Sequence, residues 1–141
     1  MKDLVSKLPL FMLIAVIGAC QSSVEKVSEL STNKFEDPEI VKIYQYIDER
    51  DADSLVNYLR HENETYRYEA TLGFSSLQDT SVIVPLAFNL NDSSAKVRKA
   101  AAYSLGQTGD SSAIAHIVKA LEIEDSVFVR KELLESLGKV I

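Results

Sequence analysis

Val97-Arg98-Lys99-Ala100-Ala101-Ala102-Tyr103-Ser104-Leu105-Gly106-Gln107-Thr108-Gly109-Asp110, followed by Ala113-Ile114-Ala115-His116-Ile117-Val118-Lys119-Ala120-Leu121, decides the fold. Asp92 or Ser93 caps a helix from about Ser94, with Val97, Ala101, Ser104 and Leu105 on one face. Gly106 and Gly109 bracket its end, and Gly109 suits a left-handed C-cap. Asp110 then caps a second helix, whose Ile114, Ile117, Val118 and Leu121 follow i, i+3, i+4, i+7 spacing. The stretch is a helix pair.

The pair repeats. Tyr66-Arg67-Tyr68-Glu69-Ala70, Val97-Arg98-Lys99-Ala100-Ala101 and Val129-Arg130-Lys131-Glu132-Leu133 align on Arg, 31 and then 32 residues apart. Phe74, Leu105 and Leu137 each stand seven positions beyond their Arg, and Asp79 and Asp110 twelve beyond the first two. Ile83, Leu86, Ala87 and Leu90 match Ile114, Ile117, Val118 and Leu121. Self-similarity at one period marks a repeat array.

In the second unit Asn63 caps, Tyr66, Ala70, Phe74 and Leu77 face inward, and Asp79 opens the partner helix. Pro85 falls near that helix's first turn and delays its start. Upstream, Asp37-Pro38 reads as an N-cap with Pro at the first helical position, ahead of an Ile40, Ile43, Tyr44, Ile47 stripe. Leu55, Val56 and Leu59 supply a short partner helix, and the last unit has only a first helix, Ser126 to Ile141. No β-alternation survives, so the fold is all-α. The expected organisation is a segment at 1–19, a polar tether at 20–35 and a repeat domain at 36–141. The units fall at about 37–60, 61–90, 91–121 and 122–141.

The period near 31, the V-R-K-A-A-A-Y-S-L-G-Q-T-G-D core and the A-I-A-H-I-V-K-A-L run resemble short HEAT-like repeats, of the kind also found in phycobilisome lyases. The resemblance covers roughly Asp37 to Ile141 and is most specific at Asn91 to Leu121. The second unit departs from it, with Phe74-Ser75 for the usual Leu-Gly and Gln78 before Asp79. It implies a short right-handed α-solenoid, its last repeat incomplete, that binds partners on its concave face.

The N-terminus carries an address. Lys2 and Lys7 precede a nearly continuous apolar run, Leu8 to Ile17, and then Gly18, Ala19 and Cys20. Ten apolar residues reach only about 15 Å as a helix, half a bilayer core, so the layout is a signal peptide and not a span. Ile17-Gly18-Ala19-Cys20 resembles the bacterial lipobox, which implies lipid attachment at Cys20 and membrane anchoring through that lipid. Gln21 to Lys34 is a polar tether. Gln21, where inner-membrane lipoproteins of enterobacteria tend to carry Asp, points by the same resemblance to the outer membrane, facing the periplasm.

Counting removes several functions. The formal charge of −6 argues against nucleic acid, whose phosphates need clustered Lys and Arg. One Cys excludes an internal disulfide, and one Cys with two His excludes an ordinary zinc site. The acidic run at Asp48, Glu49, Asp51 and Asp53 lacks the turn Gly and distal Glu of a calcium loop and reads as a solvated turn. Gly106-Gln107-Thr108-Gly109 ends a helix without a following Lys, so it is no phosphate loop. No catalytic constellation, metal or cofactor is expected.

The candidate partner-binding residues are Pro85, Phe88, His116 and Lys119. In the aligned second helices Pro85 corresponds to His116 and Phe88 to Lys119, outside the core stripes. Tyr44 and Tyr66 fall on core stripes, whereas Tyr46, Tyr68 and Tyr103 are expected nearer the surface. Arg67, Asp79, Arg98, Asp110 and Arg130 form an expected structural ladder, with Asp79 paired to Arg98 and Asp110 to Arg130. Val129, Leu133, Leu137 and Val140, with Leu134 and Ile141 beside them, make a broad apolar stripe on the final helix. It carries the expectation that the chain continues, or that it self-associates through this helix.

These features favour a lipid-anchored, non-catalytic protein-interaction scaffold of a bacterial cell envelope. Two readings stand beside it. The chain is then the N-terminal repeat portion of a longer lipoprotein bearing an enzyme domain, such as a cyclophilin-type peptidyl-prolyl isomerase, or a relative of the bilin lyases. The lipobox opposes the last, because chromophore attachment is cytosolic.

Overall fold

Asp37 starts α1 (Pro38–Glu49): its carboxylate accepts from the Glu39 N–H at 2.9 Å, and Pro38 takes the first helical position, where no donor is needed. The computed structural model describes residues 33–141. Residues 37–141 form one compact unit; the preceding unit contributes only a 3-10 turn, Lys34–Glu36, to the description. Cys20, the expected signal peptide and most of the expected tether lie outside the described residues. No described helix is long and apolar enough to cross a membrane.

After α1 come α2 (Ala52–Val56), α3 (Glu64–Leu77), α4 (Ile83–Phe88), α5 (Ala95–Thr108), α6 (Ile114–Ile123) and α7 (Val127–Val140). Among the described residues there is no strand. Asn63 caps α3 through the Thr65 N–H at 2.8 Å. The second helices are composite. 3-10 turns at Asn57–Arg60, Thr80–Val82, Asn89–Asn91 and Ser111–Ala113 extend α2, α4 and α6. Pro85 sits in the first turn of α4, so the missing donor breaks no intrahelical bond, and Thr80–Val82 takes the 3-10 form ahead of it.

α1, α3 and α5 all end on a left-handed residue: Arg50 (φ 57°), Gln78 (φ 51°) and Gly109 (φ 63°). Only Gly109 adopts that conformation without steric cost; for a side-chain residue it is about 1 to 2 kcal/mol. At Arg50 the guanidinium offsets it by donating to the Leu77 carbonyl at 2.6 Å, tying the end of α1 to the end of α3.

The helix pairs stack as an α-solenoid. The first helices form one layer, α1 on α3 on α5 on α7, and the second helices the other, each packed against the first helix of the next unit. Ile40, Ile43, Leu55, Phe74, Leu86, Val97, Leu105, Ile117, Val129 and Leu133 fill the space between. The first helices approach closely through small residues. Ser104 Oγ donates to the Thr71 carbonyl at 2.7 Å, Asn89 Nδ2 donates to Thr71 Oγ1 at 2.7 Å, and all three side chains are buried. A Cβ on Gly106 would stand 2.8 Å from Ser136 Cβ, so α7 crosses α5 where only glycine fits.

Two sequence expectations need correction. Val118 is exposed, and the inward side of α6 is instead Ile117 and Ala120, beside Ala113, with Ile114 and Leu121 half-buried. The pairs Asp79–Arg98 and Asp110–Arg130 do not form. Asp79 and Asp110 each cap a 3-10 turn, accepting from Ser81 and Ser112 N–H at 2.8 Å. Arg67 pairs with Asp92 and Arg98 with Glu124, each through Nε and Nη2. The reason is axial. The arginines lie in the first turn of their helices, at the end where the connections between units pass; Asp79 and Asp110 lie at the opposite end, about 18 Å away for a twelve-residue rise.

Candidate functional site

α4 with the following Asn89–Asn91 turn, and α6 of the next unit, are neighbours in the second-helix layer. Their core faces are fixed by Ile83, Leu86 and Leu90 on one and Ile117 and Ala120 on the other. That rotation leaves Val84 and Phe88 pointing outward from α4, both more than half exposed. From α6 it turns His116 and Lys119 toward them. The result is an open groove of about 220 Å³ walled by Val84, Phe88, Asn91, His116 and Lys119, with Ala87 and Ala120 as its floor. Three of the four expected residues, Phe88, His116 and Lys119, therefore meet.

Pro85 does not join them. It turns to the other side of Phe88 and lines a second groove with Val56, Leu59 and Arg60. Phe88 is the ridge between the two, and the Arg60 guanidinium lies over its ring at 4.6 Å from the centroid. Aligned repeat positions share a face, but Pro85 and His116 belong to different helices, and the groove lies on only one side of each.

The groove offers one imidazole, one ammonium and a hydrophobic wall, with no nucleophile or carboxylate beside them. Among the described residues no group of three His, Cys, Asp or Glu is placed to hold a metal ion. Enclosed sites for small ligands usually exceed about 300 Å³ and bury most of the ligand, whereas this groove is smaller and partly open to solvent. A side chain or helix edge fits it better.

The other histidine is structural. His61 Nδ1 accepts from the Asn63 N–H at 3.0 Å, and the ring lies between Tyr58 and Tyr66, 6.1 and 4.9 Å away by centroid. Tyr58 and Tyr66 donate to Glu39 and Asp37 at 2.7 Å each. Burial, then the Glu39 carboxylate, pushes the Tyr58 phenol well above its usual range.

A further groove on the first-helix layer was not legible in sequence. Tyr68, Leu72 and Tyr103 line it, with Lys96 stacked 3.7 Å over the Tyr68 ring and Lys139 4.9 Å over that of Tyr103. Tyr46, Tyr68 and Tyr103 are half-buried, not open. The lysine–tyrosine pairs join different units, so no local spacing announces them.

HEAT repeats match residues 52–138, more than half of the chain. The chain belongs to the HEAT repeat family. Its helix pairs are thus HEAT units, and the ladder Arg67–Asp92 and Arg98–Glu124 is the polar seam between successive ones. HEAT repeats commonly serve as protein-interaction scaffolds and are generally non-catalytic. No curated protein matches the chain.

Proposed function

We propose that this HEAT repeat protein is a lipid-anchored, non-catalytic scaffold of a bacterial cell envelope, held through Cys20 and binding a protein partner along the α4–α6 groove. The observation that carries the binding role is the exposed Phe88 ridge, more than half accessible, set beside His116 and Lys119 on a rigid repeat scaffold. An exposed aromatic next to a cation and an imidazole is the composition of an interface anchor. The anchoring role is supported by the Ile17-Gly18-Ala19-Cys20 sequence, and Gln21 favours the outer membrane facing the periplasm. The acidic body gains nothing from anionic lipid, so the acyl chains alone do the holding.

A photo-crosslinking side chain at Phe88 tests the groove in cells. A discrete adduct is expected from Phe88 and none from the exposed Ser81, and Lys119→Glu in the Phe88-labelled protein is expected to weaken it. Equal or absent adducts from both positions rule out the groove. For the anchor, Cys20→Ser abolishes labelling by a palmitate analogue and moves the protein to the soluble fraction; persistent labelling refutes it.

A further inference from the structure

Tyr68 and Leu72 of α3 face Lys96, Ala100 and Tyr103 of α5 across the groove on the first-helix layer, a hollow of about 460 Å³. Both helices are internal to the array: α3 packs between α1 and α5, and α5 between α3 and α7. The groove's openness therefore belongs to the layer and not to an end of the array.

Its charge runs against that of the chain. Asp and Glu outnumber Lys and Arg by 21 to 15, yet three lysines, Lys96, Lys99 and Lys139, gather here around one lining carboxylate, Glu132. Lys99 takes that carboxylate at 3.9 Å. Lys96 and Lys139 have no carboxylate partner among the described residues; their ammonium groups rest over Tyr68 and Tyr103, 3.7 and 4.9 Å from the ring centroids. A cation held on an aromatic face stays available, since the ring carries no counter-charge. The hydroxyls of Tyr68 and Tyr103 likewise have no hydrogen-bond partner among the described residues. The repeat register sets the spacing. Tyr68 corresponds to Lys99, so Tyr103 stands four residues further along and one helix over. That places the two rings, and the ammonium groups on them, about 11 Å apart.

We infer that this groove binds an extended acidic segment of a partner protein. In an extended chain residues i, i+2 and i+4 share one face, and i to i+4 spans about 13 Å. Two Asp or Glu at that spacing reach Lys96 and Lys139, and an apolar residue between them rests on Leu72 and Ala100. The two tyrosine hydroxyls donate to the carboxylates. A small anion cannot bridge ammonium groups so far apart. Nucleic-acid bases need open aromatic faces, and here lysines cover both. An anionic membrane is held by clusters of about four to eight basic residues, whereas Glu132 sits among only three. The site lies on the opposite helix layer from Phe88, so it stands independently of the α4–α6 groove.

The probe is a fluorescein-labelled peptide, Glu-Ser-Leu-Ser-Glu, titrated with the full chain at low salt and followed by anisotropy. Saturable binding is expected, and about tenfold weaker binding for the Gln-Ser-Leu-Ser-Gln counterpart. Lys96→Gln and Lys139→Gln should each weaken it about threefold, since each removes one of the two cations. Glu132→Gln should tighten it about twofold by freeing Lys99, a gain that a purely structural role for these residues would not produce. Phe88→Asp should leave it unchanged. Absence of saturable binding, or binding that ignores the two lysines or the peptide's charges, overturns the inference. So does Lys96-dependent sedimentation with phosphatidylglycerol vesicles that the peptide does not compete away, which assigns the face to a membrane.

Discussion

Arg98 holds Glu124 by two parallel hydrogen bonds, Nε to Oε2 at 2.8 Å and Nη2 to Oε1 at 3.0 Å. Glu124 Oε1 also accepts from the Ser126 N–H at 2.9 Å, so one carboxylate both starts α7 and locks it to α5. The same carboxylate is only 3% exposed at its side chain.

Removing the arginine leaves that charge buried without its cationic partner, with only the Ser126 N–H to satisfy it. Arg98→Met is therefore expected to cost about 3 kcal/mol, and Arg98→Met with Glu124→Leu to recover part of the loss, because an apolar pair has no desolvation penalty. Urea unfolding of the two variants checks this; equal stability of single and double variants contradicts it.

Acid should reach the same contact. The Arg98 hydrogen bonds hold the Glu124 carboxyl down at about 2, below its usual 4.5. A lowered native value means the contribution is complete above the unfolded value and is lost as pH falls from about 4.5 toward 2. Asp92 is likewise lowered: burial opposes its ionisation, but the Arg67 hydrogen bonds and the Ser94 N–H outweigh it. The urea midpoint should thus fall steeply over that interval, and less steeply in Arg98→Met, whose Glu124 titrates nearer its ordinary value.

Two helical glycines should respond in opposite directions to the same change. Gly106→Ala forces a Cβ onto the Ser136 side chain and backbone, 2.8 to 2.9 Å away, and should destabilise by about 1 to 3 kcal/mol. Gly138→Ala meets nothing and should stabilise by about 0.4 to 1 kcal/mol through the lower entropy of the unfolded chain. Thermal melts of both variants decide it.

Thr71 is the hub of the buried polar contact between α3, α5 and the Asn89–Asn91 turn. Thr71→Val keeps the shape but strands the Asn89 amide, which should cost about 1 to 3 kcal/mol in chemical denaturation. Asn89→Leu in the Thr71→Val background should restore part of it, since both polar partners are then gone.

What the sequence determined by itself is local. The caps at Asp37, Asn63, Asp79 and Asp110, the left-handed Gly109 and the stripes through Phe74, Leu105 and Leu133 rest on neighbours within one or two helical turns, and the period near 31 is the recurrence of those local patterns. Interactions of that range are written in spacing. The gathering of Phe88, His116 and Lys119 was legible for the same reason, because repeat alignment puts equivalent positions on one layer. The tertiary structure alone decided which residues meet across units. Arg98 reaches Glu124 and not Asp79 because the guanidinium and the connection between units share one end of the stack. Val118 faces water because the rotation of α6 is set by how Ile117 and Ala120 seat against α7. Pro85 parts from His116 because a groove between two helices uses one flank of each. These relations depend on the distance and angle between packed helices, and no fixed offset along the chain encodes either quantity.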